Sequence, residues 1–203
     1  MHIFSPPSSD DLIRLLKAWR FWVVGALLGA AIGAAAFFIA PPDYRAQATV
    51  LVDFNLEEAW PEDTDRQQFY YLERESRKLE EIAWSDSVME RLSSGFGFPV
   101  KDLRGGKLIL SQPAEGGWHF YALDPRDETA NALASAWAQA FAEEVTQNVA
   151  SSQSLNAFIE AEATQVADLP VERSQPLSTY LFVGTVGFLA LSALVSLFFN
   201  NSK

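Results

Sequence analysis

Two long uncharged apolar runs frame the chain. Phe21–Ala40 holds no charged residue, and Thr179–Phe199, near the other end, repeats the pattern. An apolar run of about 20 residues is long enough to cross the hydrocarbon core as a helix. The pattern predicts transmembrane helices over 21–40 and 179–199, with residues 41–178 together on one side of the membrane. Residues 200–203 form a short tail. Gly25, Gly29 and Gly33 recur every fourth residue of the first run, and Ala26, Ala30 and Ala34 widen the strip. Such a strip lets another helix approach closely. Its partner is either the second span, through Gly184 and Gly187, or the same helix of a neighbouring copy. Before the first run, Ser8 and Asp11 stand at capping-box spacing. Leu12, Ile13, Leu15, Leu16 and Trp19 then recur at helical spacing among Arg14, Lys17 and Arg20. Residues 1–20 read equally as an amphipathic helix on the inner leaflet or as an inward continuation of the span.

Between the runs the periodicity changes. After Pro41-Pro42, Ala46, Ala48, Val50, Val52 and Phe54 alternate with more polar neighbours, which predicts a strand over 44–54 with one buried face. Asn55–Asp65 is acidic, contains Pro61 and reads as a loop. A helix follows over 67–84, then a short one through Val88–Leu92, capped by Ser85 or Ser87 and broken by Gly95–Pro99. Lys107–Ser111 and Trp118–Leu123 read as a hairpin joined through Glu115-Gly116-Gly117. Asp124-Pro125-Arg126-Asp127 reads as a helix start with a capping Asp. Ala130, Leu133, Ala134, Trp137, Phe141 and Val145 then form one apolar stripe reaching to about Val149. Residues 158–167 suit helix or strand, with a returning strand favoured. Leu169-Pro170 and Gln175-Pro176 lead into the second run. The predicted class is α+β: two transmembrane helices flanking one small mixed domain over 41–178.

Charge orients this arrangement. The chain carries −11; residues outside 41–178 sum to +2, leaving −13 for 41–178. Arg14, Lys17 and Arg20 before the first run favour the cytoplasm, so both termini are expected inside and the domain outside, in the cell (inner) membrane. Phe38 lies at the −3 position for a cut after Ala40, where signal peptidases want a small residue, so an uncleaved anchor is expected. Cysteine is absent, which removes disulfides and thiol chemistry. An acidic domain repels nucleic acid. Glu57, Glu58, Glu62, Asp63 and Asp65 lack the glycine-bearing geometry of a calcium loop and read as a solvated loop. His119 falls in a predicted strand with no acid–nucleophile pair beside it, which favours a structural role. No nucleophile elbow, zinc motif or P-loop occurs, so no enzyme activity, cofactor or metal is expected.

Several short patterns occur in a telling order. They are Asp11-Leu12-Ile13 with Trp19-Arg20; Pro42-x-Tyr44-x-Ala46-x-Ala48-x-Val50-x-Val52; Ser85-Asp86-Ser87-Val88-x-x-x-Leu92; Asp124-Pro125 with Ala130, Leu133 and Ala134; and Ala167-x-x-Pro170 then Pro176. In this order, between two spans, they resemble the polysaccharide co-polymerase family, the O-antigen and capsule chain-length determinants. The resemblance covers most of the chain, with departures. About thirty residues separate Pro125 from the last predicted strand, too few at helical rise for the long hairpin of the tall members. The proline segment is thinner than usual, and no kinase domain follows the second span.

The resemblance implies a non-enzymatic scaffold: a ring of identical subunits in membrane lipid, with or beside a polysaccharide polymerase or export machine. Its role would be to regulate the chain length of an O-antigen, capsule or exopolysaccharide. Two alternatives stand beside it: an adaptor that activates a separate cytoplasmic tyrosine kinase, or a two-span sensor ectodomain for a small ligand. In a homo-oligomer, like-charged domains repel. Compensation is expected from apolar contacts, or from Arg74, Arg77 and Lys78 against a neighbour's acids.

Overall fold

The computed structural model describes residues 18–55, 65–111, 117–151, 155, 159–165 and 171–199. The chain forms two compact units, one from Met1–Pro42 with Gln175–Lys203, the other from Asp43–Ser174. The predicted amphipathic stretch up to Lys17, the acids Glu57 to Asp63, Pro170 and the tail lie outside the described residues.

The first unit is a pair of antiparallel helices, α1 (Trp19–Ile39) and α5 (Leu177–Phe199). Both are long and apolar enough to cross a membrane. Their 21 and 23 residues span about 32 and 35 Å at 1.5 Å per residue. They begin two residues before the predicted spans. Pro41 and Pro42, just past α1, have no N–H to continue it.

The second unit is a five-stranded antiparallel sheet with helices on one face. Strand β1 (Tyr44–Asp53) is its centre. On one edge it pairs with β3 (Gly117–Asp124), which pairs in turn with β2 (Leu108–Ser111). On the other edge it pairs with β4 (Glu160–Gln165) and with the short β5 (Glu172–Arg173). The predicted alternation is present: Ala46, Ala48, Val50 and Val52 are buried while their neighbours are less so. Register matches size to size, with Ala48 opposite Phe120 and Val50 opposite Trp118. Small residues on β1 thereby leave room for the rings of β3.

Helix α2 (Asp65–Ala83) and helix α3 (Asp86–Phe96) pack against the long α4 (Asp127–Ala150), which lies across β1, β3 and β4. The apolar stripe of α4 meets the sheet through aromatic contacts. The Trp137 ring stands edge-on to Phe120 at 4.9 Å and lies 4.8 Å from Trp84. Phe141 stacks on Trp118 at 5.6 Å. A buried indole needs a partner for its N–H. Trp137 Nε1 donates to Ala83 O at 2.9 Å, a carbonyl left open in the last turn of α2. One side chain thus fills the core and ties α2 to α4.

Three local expectations need correction. Asp124 does not cap α4. It closes β3 opposite Tyr44, and α4 begins at Asp127, with Arg126 at the cap and no side-chain cap bond. The Asp124 carboxylate is taken elsewhere, accepting from Lys107 Nζ at 3.0 Å and from Arg126 N at 3.1 Å. Pro125 therefore precedes the helix instead of occupying its first turn. Gly117 belongs to β3, not to the hairpin turn, because it faces Leu51 in the ladder. The cap of α3 is Ser85, whose Oγ accepts from Val88 N, while Ser87 lies inside the helix. That helix runs to Phe96 and ends at Gly97, with φ of 73°, a left-handed cap that glycine adopts without strain.

Candidate functional site

The seam between α1 and α5 is built from backbone. Gly25, Gly29 and Gly33 are its buried residues on α1. A Cβ placed on Gly29 would collide with Gly184 O and lie 2.8 Å from Phe188 Cβ. One on Gly33 would collide with Tyr180 O, and one on Gly25 with Ser192 Oγ. In the reverse direction, a Cβ on Gly184 would collide with Gly29 O. Without a hydrophobic force between helices in lipid, such close approach supplies dispersion and weak Cα–H···O contacts. Phe37 closes one end of the seam against the Tyr180 ring, edge-on at 5.5 Å.

Of the two partners the sequence allowed for the strip, the structure uses the second span of the same chain. Of the two glycines proposed there, Gly184 is in the seam and Gly187 is not: a Cβ on Gly187 meets nothing within 4 Å. Tyr180, Gly184, Phe188 and Ser192 recur every fourth residue along the line of α5 that meets α1, and Gly187 lies beside that line, where a Cβ would have open space. Tyr180 and Ser192 were absent from the sequence-based site. The signal for them was this spacing, which mirrors 25, 29 and 33 on α1.

At its Ala18 end the seam opens into a cleft of about 480 Å³ lined mainly by Phe21, Val24, Leu28, Leu191 and Val195. The hydroxyls there are taken up by their own helix, Ser192 Oγ donating to Phe188 O and Ser196 Oγ to Ala193 O at 2.8 Å. The cleft is therefore chemically apolar and suits hydrocarbon or another apolar helix.

In the sheet unit, polar side chains gather on the strand face opposite α4. His119 Nδ1 lies 3.1 Å from Gln47 Nε2 and 3.0 Å from Thr49 Oγ1. In the neutral ring, accepting the Gln47 amide at Nδ1 leaves the proton on Nε2. The Arg45 guanidinium sits over the Tyr121 ring at 4.5 Å. The contacts made by His119 are with an amide, a hydroxyl and the edge of Tyr121. This arrangement fixes the orientation of the ring on the strand face. Among the described residues, no group of three or more His, Asp or Glu gathers as metal ligands.

The remaining motif positions have structural places. Ala46 and Ala48 are core residues of β1. Tyr44 opens β1 beneath the Arg173 guanidinium, 4.0 Å above its ring, which joins β1 to β5. Pro42 and Pro176 flank the helix pair. The three cations expected to meet a neighbour's acids are engaged on α2 itself. Arg74 Nε and Lys78 Nζ each donate to Glu75 Oε1 at 2.9 Å, and Arg77 pairs with Glu73. Glu75 is fully buried on the line Tyr71–Glu75–Leu79, and among the described residues its Oε2 has no hydrogen-bond donor.

Compared with known protein families and with curated proteins, the sequence matches none.

Proposed function

We propose that the chain is a two-span membrane scaffold whose α/β unit faces outward and which, as a homo-oligomer, regulates the length of a surface polysaccharide. The observation that carries the reading is the antiparallel seam of Gly29 on Gly184. It pairs two membrane-length helices, one near each end of the chain, so that the second returns to the membrane face the first left. The basic residues before α1 then set both termini on the cytoplasmic side. Support also comes from the order of elements between the helices. A strand, two helices, a hairpin, one long helix and a returning strand follow one another as the resemblance to the polysaccharide co-polymerases expects. The role is read as non-enzymatic, as that resemblance implies, with His119 held on the sheet face by Gln47 and Thr49.

Removing the chain from its source cell tests this. The expected result is a changed distribution of polymer length on a gel with sugar synthesis retained. An unchanged distribution would overturn the reading. A reporter fused after Lys203 is expected to be active only in its cytoplasmic form.

A further inference from the structure

The close approach of α1 and α5 fails at one end. At Gly29 and Gly33 a Cβ would collide with backbone oxygens of α5, Gly184 O and Tyr180 O. At Gly25 the atom in the way belongs to a side chain, Ser192 Oγ, and the nearest backbone oxygen, Phe188 O, lies 3.2 Å from the same point. The Ser192 side chain thus stands between the backbones here, and towards Ala18 the helices leave the cleft of about 480 Å³. That size falls within the roughly 300–1,000 Å³ of sites for small organic molecules.

Another helix and a hydrocarbon chain both suit an apolar cleft between membrane helices, and the walls decide between them. Phe21, Val24 and Leu28 on α1 and Leu191 and Val195 on α5 are all large and all exposed. A helix seats closely on small residues, whereas a flexible chain fits between large ones. Charge points the same way. Arg20 is the only charged residue on either helix. It stands one turn before Val24, a wall of the cleft, and its guanidinium lies 5.9 Å from the centre of the Trp19 ring. Asp10 and Asp11, earlier in the sequence, are outnumbered by Arg14, Lys17 and Arg20. The helix pair of a second copy would bring the same lone cation and no acid to answer it. An anionic headgroup answers it directly.

We infer that the cleft holds an acyl chain of an anionic glycerophospholipid, with its phosphate on Arg20 and Trp19 at the rim, an inference that rests on the two-span reading. The chain fills the space left where the backbones part, and the headgroup stays at the membrane surface, where Trp and Arg are at home.

The test is native mass spectrometry of the full-length chain, purified in mild detergent and supplied with palmitoyl-oleoyl phosphatidylglycerol or with phosphatidylcholine of the same acyl chains. One phosphatidylglycerol per chain is expected to stay bound under conditions that strip phosphatidylcholine. Arg20→Gln should lower its retention about fivefold, and Arg20→Lys should keep it. Leu191→Trp and, independently, Val195→Phe fill the cleft and should displace the lipid with Arg20 intact. Val186→Phe, exposed on α5 outside the cleft, should not. Equal retention of the two lipids, or loss by Arg20→Gln but by neither cleft-filling variant, would mean ordinary boundary lipid and overturn the inference. Cleft-filling variants that shed a second copy instead of a lipid would show that a helix occupies the cleft, which overturns it equally. These failures leave the two-span reading standing, whereas a chain that never enters the membrane fraction overturns both.

Discussion

The two units bury their centres by opposite means. In the helix pair, contact is made where side chains are missing: Gly29 and Gly184 bring backbone to backbone. In the sheet unit, contact is made by the largest side chains, with Trp137, Phe120 and Phe141 filling the space between α4 and the strands. With the helix pair in a membrane, as proposed above, the solvent explains the difference. Lipid gives apolar side chains no reason to leave it, so helices gain only from close fit. Water expels apolar area, so the sheet unit gains from volume buried. The same residue type therefore has opposite value in the two places. A large side chain is destructive at Gly29 and indispensable at Trp137.

The strongest way to break this contrast is Trp137→Ala. It removes a ring that meets both Trp84 and Phe120, together with the hydrogen bond to Ala83 O. A loss of about 3–5 kcal/mol is expected, read as unfolding of the sheet unit in denaturant, with membrane insertion unchanged. The converse test is Gly29→Leu. It should hold α1 and α5 apart while both still insert, and abolish disulfide formation between Cys residues placed at Phe37 and Tyr180. Gly187→Leu is the control: its side chain would enter open space, and the cross-link should persist. Equal loss in both variants would mean that side-chain bulk anywhere on the helix pair matters, and the backbone seam would be refuted.

Smaller effects sharpen the comparison within the sheet unit. Ser85→Ala removes the cap of α3 and should cost about 1 kcal/mol, seen as a lower denaturant midpoint with unchanged slope. Arg91→Ala removes exposed pairs to Glu143 and Glu144. It should cost no more than about 1 kcal/mol and less as salt rises. A larger cost at Arg91 than at Ser85 would show that charge, not packing and capping, secures α3 on α4.

Elements with one strong periodic signal are legible in the sequence alone. The two apolar runs became α1 and α5, the alternation over 44–54 became β1, and the stripe from Ala130 to Val145 became α4. Period and hydrophobicity are local properties, and each of these segments buries a single face. Junctions were less legible. At Asp124, capping a helix and ending a strand demand the same short acidic side chain, and only the ladder to Tyr44 and the nearby Lys107 decide between them.

The sequence by itself determined the division of the chain: membrane-length helices near its ends, an acidic α+β segment between them, no cysteine, and glycines spaced for close approach. Tertiary structure decided which surfaces meet. It gave the strip on α1 to Gly184 and not Gly187, held His119 between Gln47 and Thr49, and turned Phe69 and Tyr70 outward while burying Glu75. The physical reason is that spacing fixes which residues share a face, whereas the partner of that face is chosen by contacts between segments far apart in the chain. Tyr71, Glu75 and Leu79 share a face by spacing alone, but contacts with distant segments, such as Trp137 reaching Ala83 from 54 residues away, decide which way that face points.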